Sequence, residues 1–336
     1  MQRQNVVLVI ILSLLIVFWL IFFQKQLEIF LFDSYFDKPS EILVAQVSQN
    51  YENSSRSINR TRTVLDILKT PEFQAKSVLS LKIDSTGKEE IIFQRNIKDI
   101  LPIASLTKLM TAVIVFENYG STGSPQDPID EKIIISKEAV VQESDRGNLK
   151  VEESVSIKNL LTSMLIESSN DAAYALAENM DSINSPQVDS TSSLQVGIDQ
   201  FLEKMNLKAK ELGMLNSNFS NPTGLDGTTN YSTSEDLVKL VKYILLNYPQ
   251  IWEITSKVSA EILNDDGTLH HFAINTNELL SKIPNVIGGK TGYNEEALGC
   301  LILLLKNTNG DYLINIILGS PDRFTEMETL INWVKW

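Results

Sequence analysis

The chain has 336 residues, 43% of them hydrophobic and 21% charged, which is ample material for a packed core. That composition excludes whole-chain disorder, collagen-like repeats and a disulfide-dense miniature scaffold. With Lys+Arg at 29 against Asp+Glu at 42, the net charge of −13 would repel a polyphosphate, so no nucleic-acid partner is expected.

Residues 1–5 form a short tip carrying Arg3. Residues 6–23 follow as an apolar run whose only polar member is Ser13, about 27 Å long as a helix and matched to the hydrocarbon thickness. Arg3 before it, with Glu28, Asp33 and Asp37 after it, predicts an N-terminus in the cytoplasm and the remainder outside. No small-residue cleavage site follows Phe23, so the segment reads as an uncleaved membrane anchor rather than a signal peptide. Phe30, Phe32, Tyr35 and Phe36 fit the headgroup level or a short interfacial helix. Residues 24–74 read as an extracytoplasmic tether, polar and weakly patterned from about Asp37, unless Thr63 to Leu68 already form a helix on the domain.

The domain proper is expected over 75–336. Leu79, Leu81 and Ile83 alternate with polar residues as a half-buried strand, Ser85 to Lys88 supplies a turn, and Glu89 to Arg95 returns as a second strand. Residues 103–118 are apolar nearly all round, which predicts a buried helix. Ile157, Leu160, Leu161, Met164 and Leu165 keep helical spacing, and Ala172 to Glu178 predicts another helix. Asp181 to Ser193 reads as a surface loop. Leu298 to Lys306 and Tyr312 to Leu318 are strands around the turn 307–311, and Phe324 to Trp333 closes as a helix. Strands at both ends with helices between predict an α+β domain whose antiparallel sheet joins the two ends and is flanked by helices, with a helical subdomain.

Only two histidines, His270 and His271, are available, so a Ser-His-Asp hydrolase or a histidine-rich metal site would depend on one adjacent pair. They lie in an alternating stretch where one ring is expected to face solvent, and no metal or cofactor is predicted. Cys300, the single cysteine, excludes an intrachain disulfide and reads as a core residue. The alternative is a serine activated by a lysine. Ser105 and Lys108 lie one turn apart on the buried helix, which Pro102 starts near Ala104, so Ser105 sits where free backbone N–H groups collect. Burial should depress the Lys108 pKa and let a neutral amine take the Ser105 proton. Ser-x-x-Lys also recurs by chance; Ser85 to Lys88 is a second copy in a hairpin turn. Ser168-Ser169-Asn170 falls at a helix junction and would equally serve as an N-cap cluster. Lys290-Thr291-Gly292 continues the strand-like run Val286 to Gly289. A substrate peptide could lie along this edge with its carboxylate on Lys290 and Thr291, or the run is a glycine-rich turn with a solvated lysine.

Taken in this order and these settings, the three strings resemble the serine–lysine set of penicillin-binding proteins and serine β-lactamases. From about Ala75 onward the chain resembles a D-alanyl-D-alanine carboxypeptidase of the low-molecular-mass penicillin-binding type. Pro102 to Ala112, Ser168 to Ala173, Asn221 to Asp226 and Gly289 to Tyr293 carry the resemblance. It implies Ser105 as the acylated nucleophile, Lys108 as its base and Ser168 as a proton relay to the leaving D-alanine. Asn170 would hold the substrate amide, Lys290 would support Ser168, and Thr291 would bind the terminal carboxylate. Gly292 and Tyr293 would line the substrate strand, with the Ser105 and Tyr293 N–H groups as the oxyanion hole. Arg323 is a looser match for steering the carboxylate. The implied partners are peptidoglycan stem peptides, β-lactams as covalent inhibitors, and the bacterial cytoplasmic membrane, with the catalytic domain on its outer face.

Three departures stand out. Asn294 replaces a threonine frequent in the family, Thr223 is unusual in its string, and a second β-rich domain and C-terminal anchor do not follow, which casts residues 6–23 as the anchor. A class A β-lactamase would need Glu-x-x-Leu-Asn, which Glu211 to Asn216 misses by one residue. A D,D-endopeptidase acting on cross-links and a silent wall-binding protein are the remaining rivals.

Overall fold

The computed structural model describes residues 70–119, 130–142, 146–180, 191–225 and 229–336. The expected membrane segment, and the tether up to residue 69, lie outside the described residues; among those described, no helix is long and apolar enough to cross a membrane.

In chain order the strands and helices begin with β1 (Ser77–Ile83), β2 (Glu89–Arg95), β3 (Leu101–Pro102), a 3-10 turn at Ala104–Leu106 and α1 (Thr107–Tyr119). Then come β4 (Lys132–Ile134), α2 (Lys137–Val140), β5 (Ser154–Ser156), α3 (Ile157–Ile166), α4 (Asn170–Glu178) and α5 (Thr191–Glu211). The chain continues with β6 (Tyr231–Ser232), α6 (Ser234–Asn247), α7 (Gln250–Thr255), β7 (Ser259–Leu263) and β8 (Leu269–Ile274). It ends with β9 (Val286–Asn294), β10 (Leu298–Lys306), β11 (Tyr312–Ser320) and α8 (Arg323–Val334).

Five strands form one antiparallel sheet in the order β2-β1-β11-β10-β9. The pairing of β1 with β11, from Ser77 opposite Leu318 to Ile83 opposite Tyr312, joins the early hairpin to the C-terminal strands, as the α+β reading expects. Both faces of this sheet are covered, which is why β10 reads as an unbroken apolar run. Leu301, Leu303 and Leu305 point towards α8 and pack with Met327, Leu330 and Ile331. Ile302 and Leu304 point the other way, into the larger core with α1, α3 and α4. Helix α1 is buried from Thr107 to Phe116, consistent with its lack of a polar stripe.

Two expectations change. Thr191 to Ser193 open helix α5 and are not loop, while residues 181–190 lie outside the described residues. The β7–β8 hairpin was not anticipated as a unit. Its register shifts between Ile262 and Leu263, which places His271 opposite Ile262 and Leu269 opposite Leu263 and leaves His270 as the extra residue of a bulge. Because a bulge breaks strand alternation, neither ring is turned to solvent: both contact carboxylates and are largely buried. The expected solvent-facing ring is therefore absent.

Candidate active site

Ser105 lies in the 3-10 turn that opens α1, half-buried, directly after Ala104 in the left-handed region at φ 45°. The helix expected from Ala104 thus begins one turn late. The reason is crowding from both sides. A Cβ on Gly292 would come within 2.8 Å of the Ile103 carbonyl oxygen and 3.2 Å of the Ser105 nitrogen, so β9 passes against the turn backbone to backbone. Gly224, itself at φ 80°, approaches from the Asn221–Leu225 loop so closely that a Cβ would overlap the Ala104 carbonyl.

Lys108 is fully buried, and its Nζ lies 3.0 Å from Ser105 Oγ. The same nitrogen donates to Asn170 Oδ1 at 2.7 Å and to the Thr223 carbonyl at 2.5 Å. A neutral amine has two N–H bonds and one lone pair. With both N–H bonds taken by these acceptors, the lone pair is left for the serine proton. Burial above all, then the nearby Lys290 and Arg146 charges, hold the Lys108 pKa well below its usual value, in the direction this arrangement needs. Asn221 shapes the loop that presents Thr223: its Oδ1 accepts from the Thr223 nitrogen and hydroxyl and from the Gly224 nitrogen. The unexpected Thr223 has a local role, because its Oγ1 also accepts from the Leu225 nitrogen and closes the turn.

Across the cleft, Ser168 sits at φ 68° between α3 and α4, and Ser169 caps α4 by accepting from the Ala172 nitrogen. The cap reading of this string is therefore correct for Ser169. Ser168 and Asn170 instead meet the two lysines, Asn170 Oδ1 accepting from Lys108. Lys290, at 1% exposure, donates to Ser168 Oγ at 2.9 Å and to the Thr291 carbonyl at 3.0 Å. Burial, then Arg146 and Arg323, lower its pKa to about 7. The Thr291 hydroxyl lies 2.5 Å from that of Thr276. Tyr293 is 63% exposed, with the Arg323 guanidinium 5.9 Å from its ring centre.

All eight residues singled out from the sequence (Ser105, Lys108, Ser168, Asn170, Lys290, Thr291, Gly292 and Tyr293) therefore belong to the same region of the molecule. Asn294 lies at the end of β9, where its Oδ1 accepts from the Ala297 nitrogen and shapes the turn into β10. Glu211 ends α5, with its side chain exposed and paired with Lys208. Cys300 is buried and its pKa is pushed up to about 11 by desolvation, as suits a core thiol. Among the described residues, no cluster of His, Cys, Asp and Glu is arranged to hold a metal ion. Arg146 and Thr276 were missed. Neither stands in a recognisable string, and only the fold brings them to the lysines and to Thr291.

Residues 64–322 match the family described as D-alanyl-D-alanine carboxypeptidase. The chain belongs to that family. It is 32% identical over 236 residues to D-alanyl-D-alanine carboxypeptidase DacF of Bacillus subtilis, covering 70% of this chain and 55% of the relative, so it spans little more than half of that protein. It is 31% identical over 264 residues to a D-alanyl-D-alanine endopeptidase of Pseudomonas aeruginosa, covering 75% and 74%. The Streptomyces K15 DD-transpeptidase structure superposes with a TM-score of 0.66 at 26% identity, covering 79% of this chain and 98% of that one. In this member of the family, Ser105 with Lys108 and Ser168 with Lys290 are two hydrogen-bonded serine–lysine pairs.

Proposed function

We propose that this chain is a serine-type D-alanyl-D-alanine carboxypeptidase that removes the terminal D-alanine from peptidoglycan stem pentapeptides through an acyl-enzyme on Ser105. The observation that carries the proposal is the buried Lys108 amine, 3.0 Å from Ser105 Oγ with both its other hydrogen-bonding directions occupied. Lys108 takes the hydroxyl proton as Oγ bonds to the carbonyl carbon of the penultimate D-alanine. Collapse of the tetrahedral adduct breaks the C–N bond, and Ser168, supported by Lys290, passes a proton to the departing amine. Water then attacks the ester and restores Ser105. Asn170 holds the substrate amide, Thr291 takes the terminal carboxylate, and the Ser105 and Tyr293 nitrogens meet the developing oxyanion beside Gly292. β-Lactams acylate the same serine. Residues 6–23 anchor the enzyme in the bacterial cytoplasmic membrane, and residues 24–74 tether the 75–336 domain on its outer face.

A second reading has a specific support. Relatives from Pseudomonas aeruginosa and Escherichia coli are named endopeptidases, and the same residues can attack the D-alanyl bond of a cross-link. Full-length protein and its Ser105→Ala variant, incubated with purified peptidoglycan, separate the readings by muropeptide mass spectrometry. Pentapeptides losing one alanine with dimers intact support the carboxypeptidase. Dimers falling to monomers support the endopeptidase. Identical products from the two proteins refute both and favour a silent wall-binding protein.

A further inference from the structure

The site described so far leaves the chain's only imidazoles unused, although they sit one residue from the Ser168 shoulder. The His270 bulge turns both rings inward, and four side chains form a line. Glu153 Oε1 lies 3.1 Å from His270 Nε2, and the two Nδ1 atoms are 2.6 Å apart. His271 Nε2 lies 2.8 Å from Glu167 Oε1, which also accepts from Ser163 Oγ at 2.6 Å. Glu167 caps α3 and directly precedes Ser168, which holds a left-handed backbone that costs a non-glycine residue about 1–2 kcal/mol.

Proton counting gives this line its meaning. Each Nε2 faces a carboxylate, so each needs a hydrogen. The Nδ1 pair needs one hydrogen between them, since two lone pairs or two N–H groups would repel at that separation. The geometry therefore calls for three protons on two rings, a single positive charge shared between the buried Glu167 and the half-buried Glu153. Remove one proton and one of the three contacts becomes lone pair against lone pair or against carboxylate. Also near the line are the Arg146 guanidinium, which donates to the Glu167 carbonyl at 3.1 Å, and the neutral Lys150 backbone N–H, which donates to the second Glu153 oxygen. Glu261 on β7 pairs opposite Phe272, on the other face of the hairpin, and Asp265 in its turn is taken by Lys132. The hairpin reaches the same shoulder twice more. The Thr276 nitrogen donates to the Ile166 carbonyl, and Ile262 and Ala273 pack on Ile166.

We infer that Glu153, His270, His271 and Glu167 form a singly charged proton clamp that fixes the α3–α4 junction, and that His270 and His271 are positioning residues for Ser168. The inference rests on the proposed role of Ser168. Breaking any of the three contacts along the line loosens the junction that presents Ser168, so Ser105 acylation falls.

Because the chain has only two histidines, histidine-selective 15N labelling of the full-length protein in detergent reports on the pair alone. Three protonated ring nitrogens out of the four are expected from the three contacts; only two would overturn the clamp. In parallel, penicillin acylation of Ser105 is followed in the wild type and its variants. His271→Phe should slow it by about tenfold to a hundredfold. His271→Gln keeps an N–H for Glu167 and a carbonyl for His270. It should recover most of the rate. Equal rates for wild type and His271→Phe, or a Gln variant no better than Phe, would overturn the positioning role. Wild-type protein that is never acylated would instead sink the catalytic reading, and the positioning role with it.

Discussion

Replacing Gly224 with alanine tests whether the loop opposite Ser105, the proposed nucleophile, sets its geometry. The substitution has two costs. Gly224 is at φ 80°, and an alanine there loses about 1–2 kcal/mol from the left-handed backbone alone. The added Cβ would also overlap the Ala104 carbonyl oxygen and approach the Ser105 nitrogen to 2.9 Å, an overpacking cost of about 1–3 kcal/mol. Gly213 supplies the control. It has φ 70° but nothing within 4 Å of its hypothetical Cβ, so Gly213→Ala carries only the backbone cost. The excess for Gly224→Ala corresponds to a melting temperature roughly 2–12 °C below that of Gly213→Ala. Differential scanning calorimetry measures the gap, and the rate of Ser105 labelling by fluorescent penicillin should fall about a hundredfold in the Gly224 variant alone. Equal melting temperatures and equal labelling would refute the argument that this loop presses on the nucleophile turn.

Other predictions follow from the same contacts. The Lys290 pKa is lowered to about 7 from 10.5, so between those values the unfolded chain holds a proton that the folded chain does not. Stability should therefore rise with pH across that window, and Lys290→Met should flatten the rise, as read from urea midpoints at several pH values. Acylation should show a rising limb as Lys108 loses its proton and a falling one as Lys290 does, so Lys290→Met should remove the falling share along with much of the rate. Thr276→Val removes the hydroxyl beside Thr291 while keeping the backbone bond to Ile166, and peptide turnover should drop roughly threefold to tenfold through KM rather than kcat. Cys300 is buried with its thiol pKa raised to about 11, so iodoacetamide should leave acylation unchanged until the protein is unfolded, as alkylation mass spectrometry can check.

How much of this was legible depends on whether the signal is local. The two Ser-x-x-Lys strings could be told apart because one lies in an apolar run and the other in a turn between alternating strands; both settings are found in the structure. The β1–β2 and β10–β11 hairpins were legible because alternation or a continuous apolar run is interrupted by polar turn residues. Helix α5 was hidden because its start, Thr191-Ser192-Ser193, continues a serine-rich stretch without a break in composition. The orientation of the histidines was hidden for a different reason. Strand alternation predicts that neighbours diverge, and a single bulge overrides it, a choice made by the pairing of β7 with β8 and not by the His-His dipeptide. Thr276 and Arg146 had no local signal at all, since their importance lies in contacts with Thr291 and Glu167, fifteen and twenty-one residues away in sequence.

The electrostatics of the cleft bring these pieces together. The chain as a whole carries −13, yet the two buried lysines at its centre are perturbed mainly by burial and by other cations, with no carboxylate among the causes. That is an unfavourable arrangement for a resting protein, since each charge makes the next harder to hold. It becomes favourable when an anion enters. A terminal carboxylate at Thr291 would lie near Lys290 and Arg323, favour the charged form of Lys290, and so keep the proton that supports Ser168. Lys108 sits on the Asn170 side of the cleft, with its hydrogens spent on Asn170 and Thr223, and is free to remain neutral. The anion would favour the charged form of Lys290, and that charge in turn disfavours protonation of Lys108, whose pKa Lys290 already helps to lower. A substrate whose terminal carboxylate is amidated should accordingly lose turnover through kcat as well as KM, and a loss confined to KM would show that the carboxylate only binds.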